Sequence, residues 1–228
     1  PYYVSLNCNK LEKAAKVLFK NIFYNQGQIC SAPSRLIIHN KIKSKFIEYL
    51  LKEVKKYVPS DPLDPTSEVG CIVSKEQKNR IMDFIKGGKD SGAIQIKYAY
   101  NTKQLPNKGI YVLPVIFDNV DPSSNLAVNE IFGPVLSIID IKSINEAIQI
   151  SNNTNYGLAA SIWTDDLNEA YKYIRNVKAG IVHVNCYGED DNSVPFGGVK
   201  ESGFSKDKSF YAFKEYSVTK TTWFNVGG

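Results

Sequence analysis

Cys30 stands in the run Phe23-Tyr24-Asn25-Gln26-Gly27-Gln28-Ile29-Cys30-Ser31-Ala32, a thiol just past a glycine turn and just ahead of an apolar stretch. A sulfur held on such a bend, with backbone N–H groups around it, has what a covalent nucleophile attacking a carbonyl needs. Alone the run carries little weight, because free cysteine is among the most buried residue types and most are inert. Glu130-Ile131-Phe132-Gly133-Pro134-Val135 puts an acid and an aromatic in a rigid turn that leads into a second apolar stretch. A carboxylate there can accept hydrogen bonds from paired hydroxyls, as on a ribose; a solvated loop acid is the plainer alternative. Pro195-Phe196-Gly197-Gly198-Val199-Lys200-Glu201-Ser202-Gly203 has the small residues of a backbone packed closely against something, and by itself is a turn.

The elements that must carry these groups alternate between helical and strand periodicity, which predicts an α/β class. Apolar residues at spacings of three and four mark a helix over 10–24, capped by Asn9, and the turn 25–28 stops it. Arg35 to His39 is a short β-branched strand, so Cys30 falls in a helix-to-strand connection. A second amphipathic helix runs over 42–57, ended by Pro59 and a turn-rich loop, and a third over 74–87 opens on the capping box Ser74-Lys75-Glu76-Gln77. Strands are expected over 109–117, 136–141, 159–163 and 180–185, with helices over 144–152 and 167–177, an alternation that a parallel sheet requires. The tail from Ser217 to Phe224 has high β-propensity and reads as an edge strand able to pair with another chain.

Composition narrows the chemistry. The chain has 228 residues, 43% hydrophobic and 22% charged, enough for a core that holds a buried site. No apolar run approaches the roughly 18 to 20 residues of a membrane span, and the first residues lack a secretory signal pattern. The net charge of +5 comes from 28 basic and 23 acidic side chains spread along the chain, so no polyanionic partner, and no nucleic acid, is implied. The cysteines Cys8, Cys30, Cys71 and Cys186 are far apart and read as free thiols of a reducing, cytoplasmic compartment. With only His39 and His183 as imidazoles, no metal site is expected. The chain opens on Pro1 and its one methionine is Met82, so an upstream segment is expected to be missing.

Taken in order, the three runs resemble the signature segments of the aldehyde dehydrogenase superfamily. Val69-Gly70 with Val73-Ser74, Asn155-Tyr156-Gly157-Leu158, Ala179-Gly180-Ile181-Val182 and Val184-Asn185-Cys186-Tyr187 add collinear matches, so that the likeness covers nearly the whole chain. It implies the C-terminal catalytic half of such an enzyme: a largely parallel twisted sheet flanked by helices over residues 1–216, and an oligomerisation strand and tail over 217–228. Cys30 would add to the aldehyde as a thiohemiacetal, pass hydride to NAD or NADP, and release the acid from a thioester by hydrolysis. Its own N–H would form half of an oxyanion hole. Glu130 would hold the nicotinamide ribose, Phe132 would pack near the nicotinamide, and Phe196 would line the aldehyde tunnel. Asn25 reads as a brace of the turn.

The N-terminal Rossmann domain, the second oxyanion donor and the general-base glutamate of the family would all precede Pro1, so cofactor binding by this chain alone is doubtful and the isolated chain is expected to have negligible turnover. The acidic run Glu189-Asp190-Asp191 sits where relatives line the tunnel entrance. The likeness is nearest to aminoaldehyde and γ-glutamyl-aminobutyraldehyde dehydrogenases, with Asp190 attracting a substrate cation. Pro33 and the stretch Phe204-Ser205-Lys206-Asp207 depart from the family pattern. The expected partners are a small aldehyde and either further copies of the chain or a complementary N-terminal half. Two other readings compete: a cysteine hydrolase pairing Cys30 with His39 or His183, and a non-catalytic relic or oligomerisation module.

Overall fold

Two apolar stretches that each follow a glycine-containing turn become neighbouring strands, and this brings the candidate residues together. Arg35–His39 forms β2 and Val135–Ile141 forms β5, paired in parallel from Arg35↔Ser137 to His39↔Ile141. The computed structural model describes residues 1–57, 59–65, 67, 69–99, 106, 108–189 and 191–228. On its other side β2 pairs with β1 (Tyr2–Val4), which pairs with β7 (Ala159–Trp163), and β7 with β8 (Ile181–Val184), all parallel. Beyond β5 come β4 (Val115–Asp118), parallel, and β3 (Ile94–Gln95), antiparallel. The seven-stranded order is therefore β3-β4-β5-β2-β1-β7-β8, and β6 (Tyr156–Gly157) with β9 (Val199–Lys200) makes a separate antiparallel pair.

Helices cover both faces, as buried parallel strands require. On one face α1 (Leu11–Phe23) and α2 (Asn40–Val54) set Leu18, Ile22, Phe46 and Leu50 against Leu36 and Ile38. On the other, α5 (Ile144–Asn152) and α6 (Leu167–Asn176) pack Ala147 and Tyr173 against Tyr3 and Ile37. The period of two sends Leu36 and Ile38 to one face and Ile37 to the other. Each of these side chains is fully buried, contributing about 1.5–3 kcal/mol apiece. The helix α3 (Lys75–Asp90) and the short α4 (Asn125–Val128) close a third apolar cluster over Phe117 and Ile139. Lys43 of α2 ties the α1–α2 layer to the sheet, reaching Asp118 at 2.9 Å and Asp140 at 2.8 Å.

The mainly parallel sheet flanked by helices is the architecture expected, with some differences. Asn9 is not the cap of α1: Lys10 holds that position with no side-chain bond, and the Asn9 N–H donates to Asp165 at 2.7 Å. The start of α2 shifts to Asn40 because the His39 ring accepts the Lys41 N–H at 3.3 Å. The third helix runs on through Gly87-Gly88 to Asp90 because a side chain at Gly88 would strike Leu126 and Phe117, so the glycine is a packing contact and no stop. Over 109–117 only the last residues are strand. Ile110 and Val112 bond instead to the Ile72 N–H and the Gln26 side chain. The tail 217–228 forms no strand within this single chain, and its expected pairing partner was another chain; Val218, Trp223 and Phe224 are almost wholly exposed. They continue an exposed aromatic set that includes Phe204, Phe210 and Phe213. Among the described residues no helix is long and apolar enough to cross a membrane.

Candidate active site

Cys30 lies five positions before β2 opens at Arg35, and Glu130 five before β5 opens at Val135. Because β2 and β5 are parallel neighbours, the two approach loops emerge side by side at the amino edge of the sheet. Open α/β sheets more often bind ligands at the carboxyl edge. Here the loops entering β1, β2, β5, β7 and β8 line one cleft of about 100 Å³ holding Cys30, Glu130, Phe132, Arg35, Lys178 and Ser202. A second cavity, about 410 Å³, lies on the other side of the Cys30 turn and is walled by Tyr24, His183, Tyr187, Glu189 and Phe196. Ile29, Ser31 and Ala159 belong to both. Cys30 is exposed, at the corner of a turn that the Ala32 N–H closes on the Ile29 carbonyl at 3.0 Å. No acceptor among the described residues binds the Cys30 N–H, which leaves it open to an incoming oxygen.

The turn before the thiol is strained and clamped. Asn25, Gln26 and Gly27 take three successive left-handed conformations, φ +48°, +54° and +71°, which cost about 1–2 kcal/mol for each residue bearing a Cβ. Gln26, fully buried, holds them in place: its Nε2 donates to the Gly70 carbonyl at 2.6 Å and its Oε1 accepts the Val112 N–H at 3.1 Å. Gln28 accepts the Val73 N–H at 2.9 Å and donates to the Asn25 carbonyl at 3.0 Å. Asn25 braces the same turn through the Gln28 carbonyl at 3.2 Å. A methyl at Gly27 would run into the Gly133 carbonyl, so the Cys30 turn and the Glu130 loop touch backbone to backbone.

The Glu130 loop is gripped from α3. Gln77, whose N–H is capped by the Ser74 hydroxyl at 3.1 Å, donates its carboxamide to the carbonyls of Ile131 and Phe132 at 3.1 and 2.8 Å. Arg80 donates to the carbonyls of Ile131 and Glu130 at 2.8 and 2.5 Å. These bonds hold Phe132 left-handed at φ +57° and half-buried, with the Glu130 carboxylate exposed in the cleft. The cleft thus holds an exposed carboxylate, an aromatic ring and an exposed thiol. On the floor, Arg35 is buried and donates to the carbonyls of Ile150 and Ser151 at 3.0 and 3.1 Å, a cation at the C-terminus of α5. Burial pulls its guanidinium down to about 10.

Of the residues expected from sequence, Cys30, Glu130 and Phe132 share the first cleft, and Phe196 walls the second cavity with Lys208 over its ring at 5.4 Å. Asp190 lies outside the described residues; the neighbouring Asp191 accepts the Ser193 N–H at 2.7 Å, while Glu189 lines the cavity. No sequence pattern marks the clamps Gln26, Gln28, Gln77 and Arg80, or Tyr187, because their bonds go to backbone groups of distant segments. Neither imidazole is bonded to Cys30: His39 caps α2, and His183 faces the Glu189 carbonyl at 3.5 Å, so the hydrolase pairing finds no geometric support.

Comparison with known proteins follows the same lines. The chain is 36% identical over 225 residues to the NADP/NAD-dependent aldehyde dehydrogenase PuuC of Escherichia coli (strain K12), covering 98% of this chain and 44% of that protein. It is 38% identical to the aminoacetaldehyde dehydrogenase of Pseudomonas aeruginosa, over 99% of this chain and 45% of that one. A P. syringae indole-3-acetaldehyde dehydrogenase solved with NAD+ superposes with a TM-score of 0.90 at 39% identity, over 99% of this chain and 46% of its own. The chain thus spans just under half the length of these relatives. The profile described as Aldehyde dehydrogenase family matches residues 1–222, and the chain belongs to that family.

Proposed function

We propose that this chain is the catalytic part of an NAD(P)-dependent aldehyde dehydrogenase, with Cys30 as its nucleophile. The observation that carries the reading is the meeting of Cys30, Glu130 and Phe132 in one cleft, with a second cavity on the opposite side of the same turn. The Cys30 sulfur adds to the aldehyde carbon, the carbonyl oxygen gains the negative charge, and the Cys30 N–H donates to it. Glu130 would accept from the hydroxyls of the nicotinamide ribose, and Phe132 would hold the nicotinamide. A bound nicotinamide supplies the hydride acceptor. Water attack on the resulting thioester carbon releases the carboxylic acid and restores the thiol.

The substrate we infer is an aldehyde bearing a charged far end, an aminoaldehyde or γ-glutamyl-aminobutyraldehyde. Among the described residues, the charged ones on the wall of the second cavity are Lys20 and Glu189, one of each sign, which suits an ammonium or an ammonium-carboxylate pair. Partners follow from the exposed aromatic set of the C-terminal region, which offers a face either to further copies or to a complementary N-terminal half. The test of the nucleophile is acylation of the purified chain by 4-nitrophenyl acetate, with the modified cysteine located by peptide mass spectrometry. Cys30 is expected to acylate ahead of Cys8, Cys71 and Cys186, and Cys30→Ala to abolish nitrophenolate release. Acylation spread evenly over the cysteines would sink the proposal.

A further inference from the structure

Tyr187 faces two ways. Its ring belongs to the wall of the second cavity, stacked against His183 with centroids 4.9 Å apart and against Tyr2 at 5.7 Å. Its hydroxyl reaches toward the nucleophile and donates to the Ser31 carbonyl at 2.6 Å. Ser31 shares with Cys30 the corner of the turn between Ile29 and Ala32. Beyond that corner Pro33 has no N–H to give, the Ser34 N–H donates to the Ala32 carbonyl at 2.8 Å, and the next backbone bond to the sheet is the Ser34 carbonyl accepting the Ser137 N–H at 2.9 Å. On the upstream side, Gln26 and Gln28 fix the left-handed turn. On the downstream side, the described tether from another element to the Cys30-Ser31 corner is the tyrosine hydroxyl.

We propose that Tyr187 is a positioning residue: by holding the Ser31 carbonyl it sets the tilt of the Cys30-Ser31 corner, so that the sulfur and the Cys30 N–H address the carbon and the oxygen of the same carbonyl group. The proposal rests on Cys30 being the nucleophile. It assigns no proton transfer to the phenol, whose hydrogen is committed to Ser31 and whose burial holds it well above the ordinary tyrosine range. Since the ring is also cavity wall, a substrate filling that cavity presses on the group that orients the nucleophile.

Tyr187→Phe removes one oxygen and keeps the ring. Two reactions at Cys30 of the purified chain separate orientation from mere reactivity. Alkylation by iodoacetamide displaces iodide at carbon and develops no oxyanion; acylation by 4-nitrophenyl acetate passes through one. With Cys71 alkylation as internal reference, Tyr187→Phe is expected to slow acylation of Cys30 by about tenfold or more while leaving its alkylation within about twofold. Equal changes in both reactions, or none in either, would overturn the positioning role. If the unaltered chain alkylates at Cys30 but never acylates there, the nucleophile reading itself fails and this proposal with it.

Discussion

Gly27→Ala tests the contact that joins the Cys30 turn to the Glu130 loop, and Gly92→Ala supplies its control. Both glycines are left-handed, φ +71° and +87°, but a methyl at Gly92 meets nothing within 4 Å, whereas one at Gly27 collides with the Gly133 carbonyl and comes within 3.1 Å of the Ile22 carbonyl. The backbone cost common to both is about 1–2 kcal/mol. Overpacking against fixed backbone atoms, which cannot swing aside as a side chain tip can, adds about 1–3 kcal/mol at Gly27 alone. Urea unfolding followed by circular dichroism should therefore place Gly92→Ala about 1–2 kcal/mol below the parent and Gly27→Ala about 2–5 kcal/mol below it. The slopes of the two transitions should match, so that the midpoints carry the difference. Equal losses for the two variants would mean that the turn and the loop yield freely to one another, and the argument that their backbones fix the site would be refuted.

Other outcomes follow from single groups. Tyr57→Phe should stabilise the chain by about 1 kcal/mol in the same urea titration, because its buried hydroxyl has no partner among the described residues while its ring contacts to Phe19 and Phe23 survive the change. At high pH the buried phenols dominate. Burial, offset in part by the Ser151 bond and Arg35, pushes Tyr173 up to about 12, so its stabilisation is intact below pH 10 and is lost as pH rises from 10 to about 12, where only the unfolded chain ionises. That loss amounts to about 3 kcal/mol for Tyr173, with Tyr2, Tyr3, Tyr57 and Tyr187 adding in the same direction. Urea midpoints measured between pH 9 and 11.5 should fall steadily, and a flat profile would contradict it. Glu189→Gln should lower the rate of Cys30 alkylation by cationic 2-bromoethylamine relative to neutral iodoacetamide by about two- to fivefold, an effect that added salt should erase. An unchanged ratio would remove Glu189 from substrate recognition.

Where sequence carried the structure, a strong local pattern agreed with the tertiary one. Arg35 to His39, Ile144 to Asn152 and Ala159 to Trp163 appear with the expected bounds because their apolar periods are also their buried faces. Three residues at Tyr2–Val4 are too short to show any period, although they form the strand between β2 and β7. Gly87 and Gly88 look like a stop until Leu126, far along the chain, takes the space that a side chain would need. The run 109–117 reads as strand because Ile110 and Val112 are apolar, but their backbone groups serve Ile72 and Gln26. Cys30, Glu130 and Phe132 were legible through their motifs, whereas the residues that hold them were not. Gln26, Gln77 and Tyr187 act on carbonyls or N–H groups of distant segments, and such bonds depend on where the backbone goes and hardly at all on the identity of the residue receiving them.

The placement of both loops five residues ahead of paired strands makes the sheet a yardstick for the chemistry. Adding or deleting one residue between Cys30 and Ser34 would either carry the sulfur along by about 3.3 Å or drag β2 through its register and exchange the faces of Leu36 and Ile37. Neither can be absorbed, since β2 has a partner on each side. Length variation among descendants of this chain is thus barred from the short approach to β2, and is barred as well from the part of the β3–β4 connection where Val112 anchors Gln26.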